Sequence, residues 1–100
     1  MANTEGKGGS DGGDGRTPIA VAMRKAASQL SELLGSAPDS VSAIQPKGEG
    51  WSAHVEVVEI ERVPDTTSVM ATYRVELDKK GDLLGYERTH RYARGQIDRR

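Results

Sequence analysis

The sequence predicts an α+β domain: one amphipathic helix packed on one face of a four-stranded antiparallel sheet, behind a disordered N-terminal tail. Three observations carry this. From Pro18 to Leu34 the apolar residues recur at helical spacing. Two stretches beyond Gly50 alternate apolar and polar residues, as half-buried strands do. Turn signals at Lys47-Gly48-Glu49-Gly50, Val63-Pro64-Asp65-Thr66 and Lys80-Gly81-Asp82 divide the strand signals, as in an antiparallel sheet.

The first sixteen residues contain six glycines and no apolar residue larger than Ala2 and Met1. Such a segment cannot bury enough surface to offset its ordering entropy, so residues 1–16 are expected to be a disordered tail. Residues 17–97 then make a single domain, with residues 98–100 as a short C-terminal tail. Thr17 is expected to cap the helix and Pro18 to occupy its first turn, while Gly35 supplies a left-handed stop. Ile19, Met23, Ala26, Leu30 and Leu33 form the apolar stripe, widened by Leu34, and Arg24, Lys25, Gln29 and Glu32 lie off it. That face is expected to pack on the domain's own sheet.

After Pro38 and Asp39, a short strand is expected from Val41 to Gln45. Trp51, Ala53, Val55 and Val57 alternate with Ser52, His54 and Glu56 in the second strand. Val69, Ala71, Tyr73, Val75 and Leu77 alternate in the third, and Leu84, Tyr86, Arg88, His90 and Tyr92 share one side of the fourth. Side-chain complementarity suggests a register with Leu77 opposite Leu84, Val75 opposite Tyr86, Arg74 opposite Glu87 and Thr72 opposite Thr89. Setting Val57 opposite Tyr73 places Glu56 beside Arg74 and Ile60 beside Met70, giving a Glu56–Arg74–Glu87 ladder. A one-residue slip of either pairing would send each side chain to the wrong face.

Composition bounds the function. Fourteen Lys and Arg against fifteen Asp and Glu give a net charge of −1, so global electrostatics do not recruit nucleic acid. The charges are nevertheless polarised: Trp51–Asp65 holds four acidic residues and one arginine, while Arg88–Arg100 holds five arginines and one aspartate. With no cysteine there is no disulfide framework or thiolate metal site. No stretch reads as a signal peptide or a membrane span, and a soluble cytoplasmic protein is expected. His54 and His90 are expected on opposite faces, where they cannot share a metal. The tail's GKGGSDGGDG run lacks the context of a phosphate loop, and Glu56, Glu59 and Glu61 have no cleft to work in. No enzyme activity, cofactor or small-molecule substrate is expected.

A difference in reach points to a binding surface. Seventeen helical residues span about 26 Å, whereas a twelve-residue strand spans about 40 Å. The sheet should outrun its helix at one end. The apolar parity of the second strand changes between Val57 and Val58, so either a β-bulge returns Val58 and Ile60 to the core, or they form an exposed patch with Met70. Arg88 and Tyr92 are expected on one face and Arg91 on the other. The candidate partner-binding residues are Val58, Ile60, Met70, Arg88, Arg91, Tyr92 and Arg94.

Five short blocks agree in order and spacing with a known family. They are the Trp51 strand with its VEVVE run, the R-V-P-D-T turn, the A-T-Y-R-V-E-L-D strand, the G-x-L-x-G-Y-E-R connection and the closing R-Y-x-R. Over most of the ordered chain the sequence resembles the gas vesicle protein O family, accessory proteins of gas vesicle formation. The resemblance implies a non-enzymatic accessory role, with other gas vesicle proteins, shell or accessory, as partners, in the cytoplasm or associated with vesicles. The alternative is a nucleic-acid-binding regulator of gas vesicle gene expression acting through the arginine-rich last strand. The order of elements is also similar to PepSY-type modules, in architecture alone.

Overall fold

A computed structural model describes residues 15–96. It holds one helix, α1 (Ile19–Leu34), followed by β1 (Ala37–Lys47), β2 (Gly50–Ile60), a 3₁₀ turn (Asp65–Thr67), β3 (Val69–Leu77) and β4 (Leu83–Ala93). The strands form one antiparallel sheet in sequential order β1-β2-β3-β4. This is the architecture expected from the sequence. Residues 1–14 of the expected tail and residues 97–100 lie outside the described residues.

Helix α1 begins one residue later than its capping signal suggests. Pro18, with extended backbone, is the N-cap; Thr17 is not, and no side chain caps the first turn. The Thr17 N–H instead donates to the Lys79 carbonyl, tying the helix entry to the β3–β4 turn. Gly35 ends the helix in the left-handed region as expected, at φ 70°, and its N–H donates to the Ser31 carbonyl. The buried stripe is Ala22, Ala26 and Leu30, at strict four-residue spacing. Ile19 and Leu33 belong to the expected stripe but are exposed; at the C-terminal end it is Leu34, four residues after Leu30, that packs against the core. Small residues at positions 22 and 26 bring the helix close to the sheet, and Leu30 provides most of its buried bulk.

The sheet's helix side carries the core: Trp51, Ala53, Val55 and Val57 from β2, with Ala71, Tyr73, Val75 and Leu77 from β3. Strict alternation puts these residues on one face and sends His54, Glu56, Thr72, Arg74 and Glu76 to the other. The β1–β2 hairpin closes on Gly48 at φ 59°, with Lys47 opposite Gly50. Gly50 is obligatory for a different reason: a Cβ there would lie 1.8 Å from the Leu77 carbonyl oxygen.

Register departs from expectation in three places. Val55, not Val57, lies opposite Tyr73, so His54 faces Arg74 and Glu56 faces Thr72. The Glu56–Arg74–Glu87 ladder therefore does not form; Arg74 pairs with Glu87 and Glu76 instead. This two-residue slip preserves every side chain's face, so in-out patterning cannot detect it. Between β3 and β4 the pairs Val75–Tyr86 and Arg74–Glu87 form as expected, but Leu77 faces Leu83 and Thr72 faces His90. Leu84 and Thr89 are the extra residues at two register breaks. Finally, β1 is an eleven-residue edge strand running through Pro38 and Asp39, longer than the expected Val41–Gln45 segment, with breaks between Pro38 and Ser40 and between Val41 and Ala43.

Candidate partner-binding surface

Sixteen helical residues span about 24 Å, against about 36 Å for the eleven residues of β4. The helix lies closest to β1 and contacts β4 at Gly81–Leu83, where the Gln29 amide donates to the Gly81 carbonyl and accepts from the Leu83 N–H. Beyond that anchor the helix side of β4 is open. Tyr86 is 45% exposed there, tilted against Tyr73 with ring centroids 6.1 Å apart.

A single carboxylate organises this open end. β2 breaks register between Val58 and Ile60, leaving Glu59 as the extra residue. Its side chain is only 15% exposed, and it accepts from Arg91 Nε at 2.9 Å, Arg88 Nη1 at 3.3 Å and the Tyr73 hydroxyl at 3.3 Å. Burial, followed by the adjacent Glu59 carboxylate, raises the Tyr73 pKa. Both arginine side chains remain about half exposed. Among the described residues their other guanidinium N–H groups have no partner. One carboxylate shared by two guanidinium groups leaves a local excess of one positive charge.

The break at Thr89 makes this cluster possible. In an uninterrupted strand, Arg88 and Arg91 would face opposite ways, as the sequence suggests. The extra residue instead puts Arg88 opposite Tyr73 and Arg91 opposite Ala71, both on the helix side, and sends His90 and Tyr92 to the other. The expected shared face of Arg88 and Tyr92 is thus corrected. So is the expected separation of the histidines: His54 faces Arg74 and His90 faces Thr72, both on the face away from the helix. No group of three or more His, Cys, Asp or Glu able to hold a metal occurs among the described residues.

On the far face, Glu56 is the second hub. It accepts from the hydroxyls of Thr72 at 2.6 Å, Ser42 at 2.7 Å and Tyr92 at 2.7 Å. Burial pushes its pKa up, but the three hydroxyl donors and the nearby His54 outweigh this and leave it below the ordinary carboxylate value. Burial and the Glu56 carboxylate push the Tyr92 hydroxyl up to about 12. Arg94 ties the strand ends together: Nη1 and Nη2 each lie 3.3 Å from Asp39, and its backbone N–H donates to Ser68. Its Nε lies 3.1 Å from an Asp65 carboxylate oxygen without hydrogen-bond alignment, so that contact is ionic and not directed.

The seven sequence-selected residues therefore divide. Ile60 is 40% exposed, and Arg88 and Arg91 present open guanidinium groups. Met70 is 2% exposed, and Val58, Tyr92 and Arg94 are half-buried. Each reading of the Val58–Ile60 segment holds in part: a bulge is present and Met70 is buried, yet Ile60 remains outside. Sequence reasoning missed Glu59 and Tyr86 as members of this end. The parity change beside Glu59 signals a bulge, but nothing local indicates that both arginines converge on it. At the opposite end of the sheet, Asp78 accepts the Lys80 and Asp82 N–H groups and Lys47 pairs with Glu76, so those polar groups serve the turns themselves.

A one-helix, four-stranded α+β module with an ion-paired sheet end is the class these features define. Residues 6–98 match the family model described as Gas vesicle synthesis protein GvpO. The chain is 51% identical over 83 residues to Gas vesicle protein O of Streptomyces sp. (strain CB03234), covering 83% of this chain and 64% of that protein. It is 37% identical over 79 residues to Gas vesicle protein O1 of Halobacterium salinarum, covering 79% and 66%. Gas vesicle protein O of Haloferax mediterranei is 36% identical over 83 residues, covering 83% and 58%. No solved structure matches. The chain belongs to the gas vesicle protein O family, which implies a role in gas vesicle formation. It spans about two thirds or less of the length of these relatives. Among the described residues no helix is long and apolar enough to cross a membrane.

Proposed function

We propose that this chain is a non-enzymatic adaptor that binds shell or other accessory gas vesicle proteins before or during assembly, in the cytoplasm or on growing vesicles. One observation carries this reading: the helix covers only part of the sheet, leaving Ile60, Tyr86, Arg88 and Arg91 open at one end. Tyrosine and arginine are frequent anchors of protein interfaces. Ile60, Arg88 and Arg91 make the direct contact, while Val58, Met70, Tyr92 and Arg94 hold that end in shape. An apolar, strand-rich subunit needs its surfaces covered until it is incorporated.

The ion pairs count against nucleic acid as the main partner. Arg88 and Arg91 share Glu59, and Arg94 is held between Asp39 and Asp65, so three carboxylates offset the three arginines nearest β4's end. A phosphate polymer would meet little net positive charge there.

The test is pairwise binding of the full chain to each protein encoded in its gas vesicle gene cluster, with single-stranded RNA in parallel at low salt. Ile60→Asp is expected to weaken one such complex. Arg88→Ala should do so as well, with a thermal melt separating lost folding from lost contact. If both folded variants retain every partner, this surface is wrong. Tight, salt-sensitive RNA binding without any protein partner would overturn the adaptor role itself.

A further inference from the structure

The sheet has two free edges of equal length, and they are not equivalent. β1 carries Pro38 and Pro46, breaks register twice, and lies alongside the helix. Proline at an edge removes a donor that an incoming strand would need. β4 contains no proline. Its two breaks leave two regular runs, Gly85–Arg88 and His90–Ala93. The second is closed at Ala93, whose N–H donates to the Gln96 side chain and whose carbonyl accepts the Gln96 N–H, so the open edge is Gly85–Tyr92. On its helix side these runs present Tyr86, Arg88 and Arg91 to solvent.

The arginines decide what can join this edge. A strand added beside β4 would cover the flank of Arg88 and Arg91, and burying a charge without a partner is costly. Glu59 is already shared between them, so it cannot satisfy the remaining donors. A strand bearing a carboxylate on the same face supplies a further acceptor for those donors, an interaction that a neutral or basic strand lacks. Beside Tyr86, an aliphatic side chain on the added strand covers the exposed ring.

Resting on the adaptor reading above, we propose that the free edge of β4 accepts a short strand from a gas vesicle protein. That strand places a carboxylate beside Arg88 or Arg91 and an aliphatic group beside Tyr86. The main-chain ladder supplies affinity and the arginine pair selects the sequence.

The test uses the full chain with whichever gas vesicle protein binds it. Amide hydrogen exchange with and without that partner is expected to show new protection within residues 85–92 and none across β1. The double variant Arg88→Glu/Arg91→Glu should weaken binding by about tenfold or more, and added salt should weaken the wild-type complex. Lys79→Glu/Lys80→Glu, at the opposite end, should leave affinity unchanged. A partner that binds with β4 amides unprotected, or without regard to charge reversal, overturns this inference and leaves the adaptor role standing. Concentration-dependent self-association that protects the same amides would also overturn it, by making a second copy the occupant. If no gas vesicle protein binds the wild-type chain, the adaptor role fails first.

Discussion

Replacing Glu59 with glutamine should move stability and partner affinity in opposite directions. The carboxylate holds two half-exposed arginines and the hydroxyl of the buried Tyr73. Exposed ion pairs contribute about 0.2–1 kcal/mol each. The amide retains an acceptor for Tyr73, so only part of that bond is lost, and the whole change costs about 1–2 kcal/mol. For a domain of this size, that lowers the melting temperature by roughly 4–15 °C. The same substitution frees both guanidinium groups and raises their local charge excess from one to two. A carboxylate-bearing partner should then bind about three- to tenfold more tightly, since these charges are partly screened by water. Circular dichroism melts give the first quantity; titration with the wild-type chain's gas vesicle partner, at low and raised salt, gives the second. A variant that loses stability but binds no better, or more weakly, would refute the claim that Arg88 and Arg91 wait for an outside acceptor.

The core and the far face give further expected outcomes. Leu30→Ala removes the largest core side chain contributed by α1 and should cost about 2–5 kcal/mol by urea denaturation. Gly50→Ala must displace the Leu77 backbone and should destabilise the β1–β2 hairpin more than Gly85→Ala, which meets open space; comparative melts check this. Glu56 has a lowered folded pKa, so its contribution is complete above its unfolded value of about 4.5 and is lost as pH falls through the lower folded value. Glu56→Gln should flatten that part of the acid stability profile. Tyr92 titrates at about 12 when folded, so its contribution is present below its ordinary value of 10.0 and lost as pH rises through about 12. Tyr92→Phe should flatten that alkaline limb and cost about 1–2 kcal/mol at neutral pH.

The elements that sequence alone locates are those set by periodicity. Alternation in Trp51–Val57 and Ala71–Leu77 identifies both central strands and their buried face, and Gly35 marks the end of the helix. What escapes is geometry that periodicity does not encode. A two-residue slip of β2 against β3 leaves the pattern of buried side chains unchanged, so complementarity matches Glu56 with Arg74 when its partner is Thr72. Single extra residues at Glu59, Leu84 and Thr89 change the faces of the residues after them; the parity change beside Glu59 signals the first, while those at Leu84 and Thr89 are visible only once the neighbouring strand is in place. The open end is therefore legible along the chain, while the faces of its arginines are not. Met70 and Tyr92 read as contact residues because nothing local reveals that Met70 is buried or that Glu56 holds the Tyr92 hydroxyl.

Site-specific photocrosslinking in cells making gas vesicles offers the most direct test of where a partner binds. A photoreactive amino acid would replace Ile60, Tyr86 or Lys80 one at a time in the full chain. Crosslinks to a gas vesicle protein are expected from positions 60 and 86 and not from position 80. Crosslinks from position 80 alone would place the partner at the opposite end of the sheet and contradict the account.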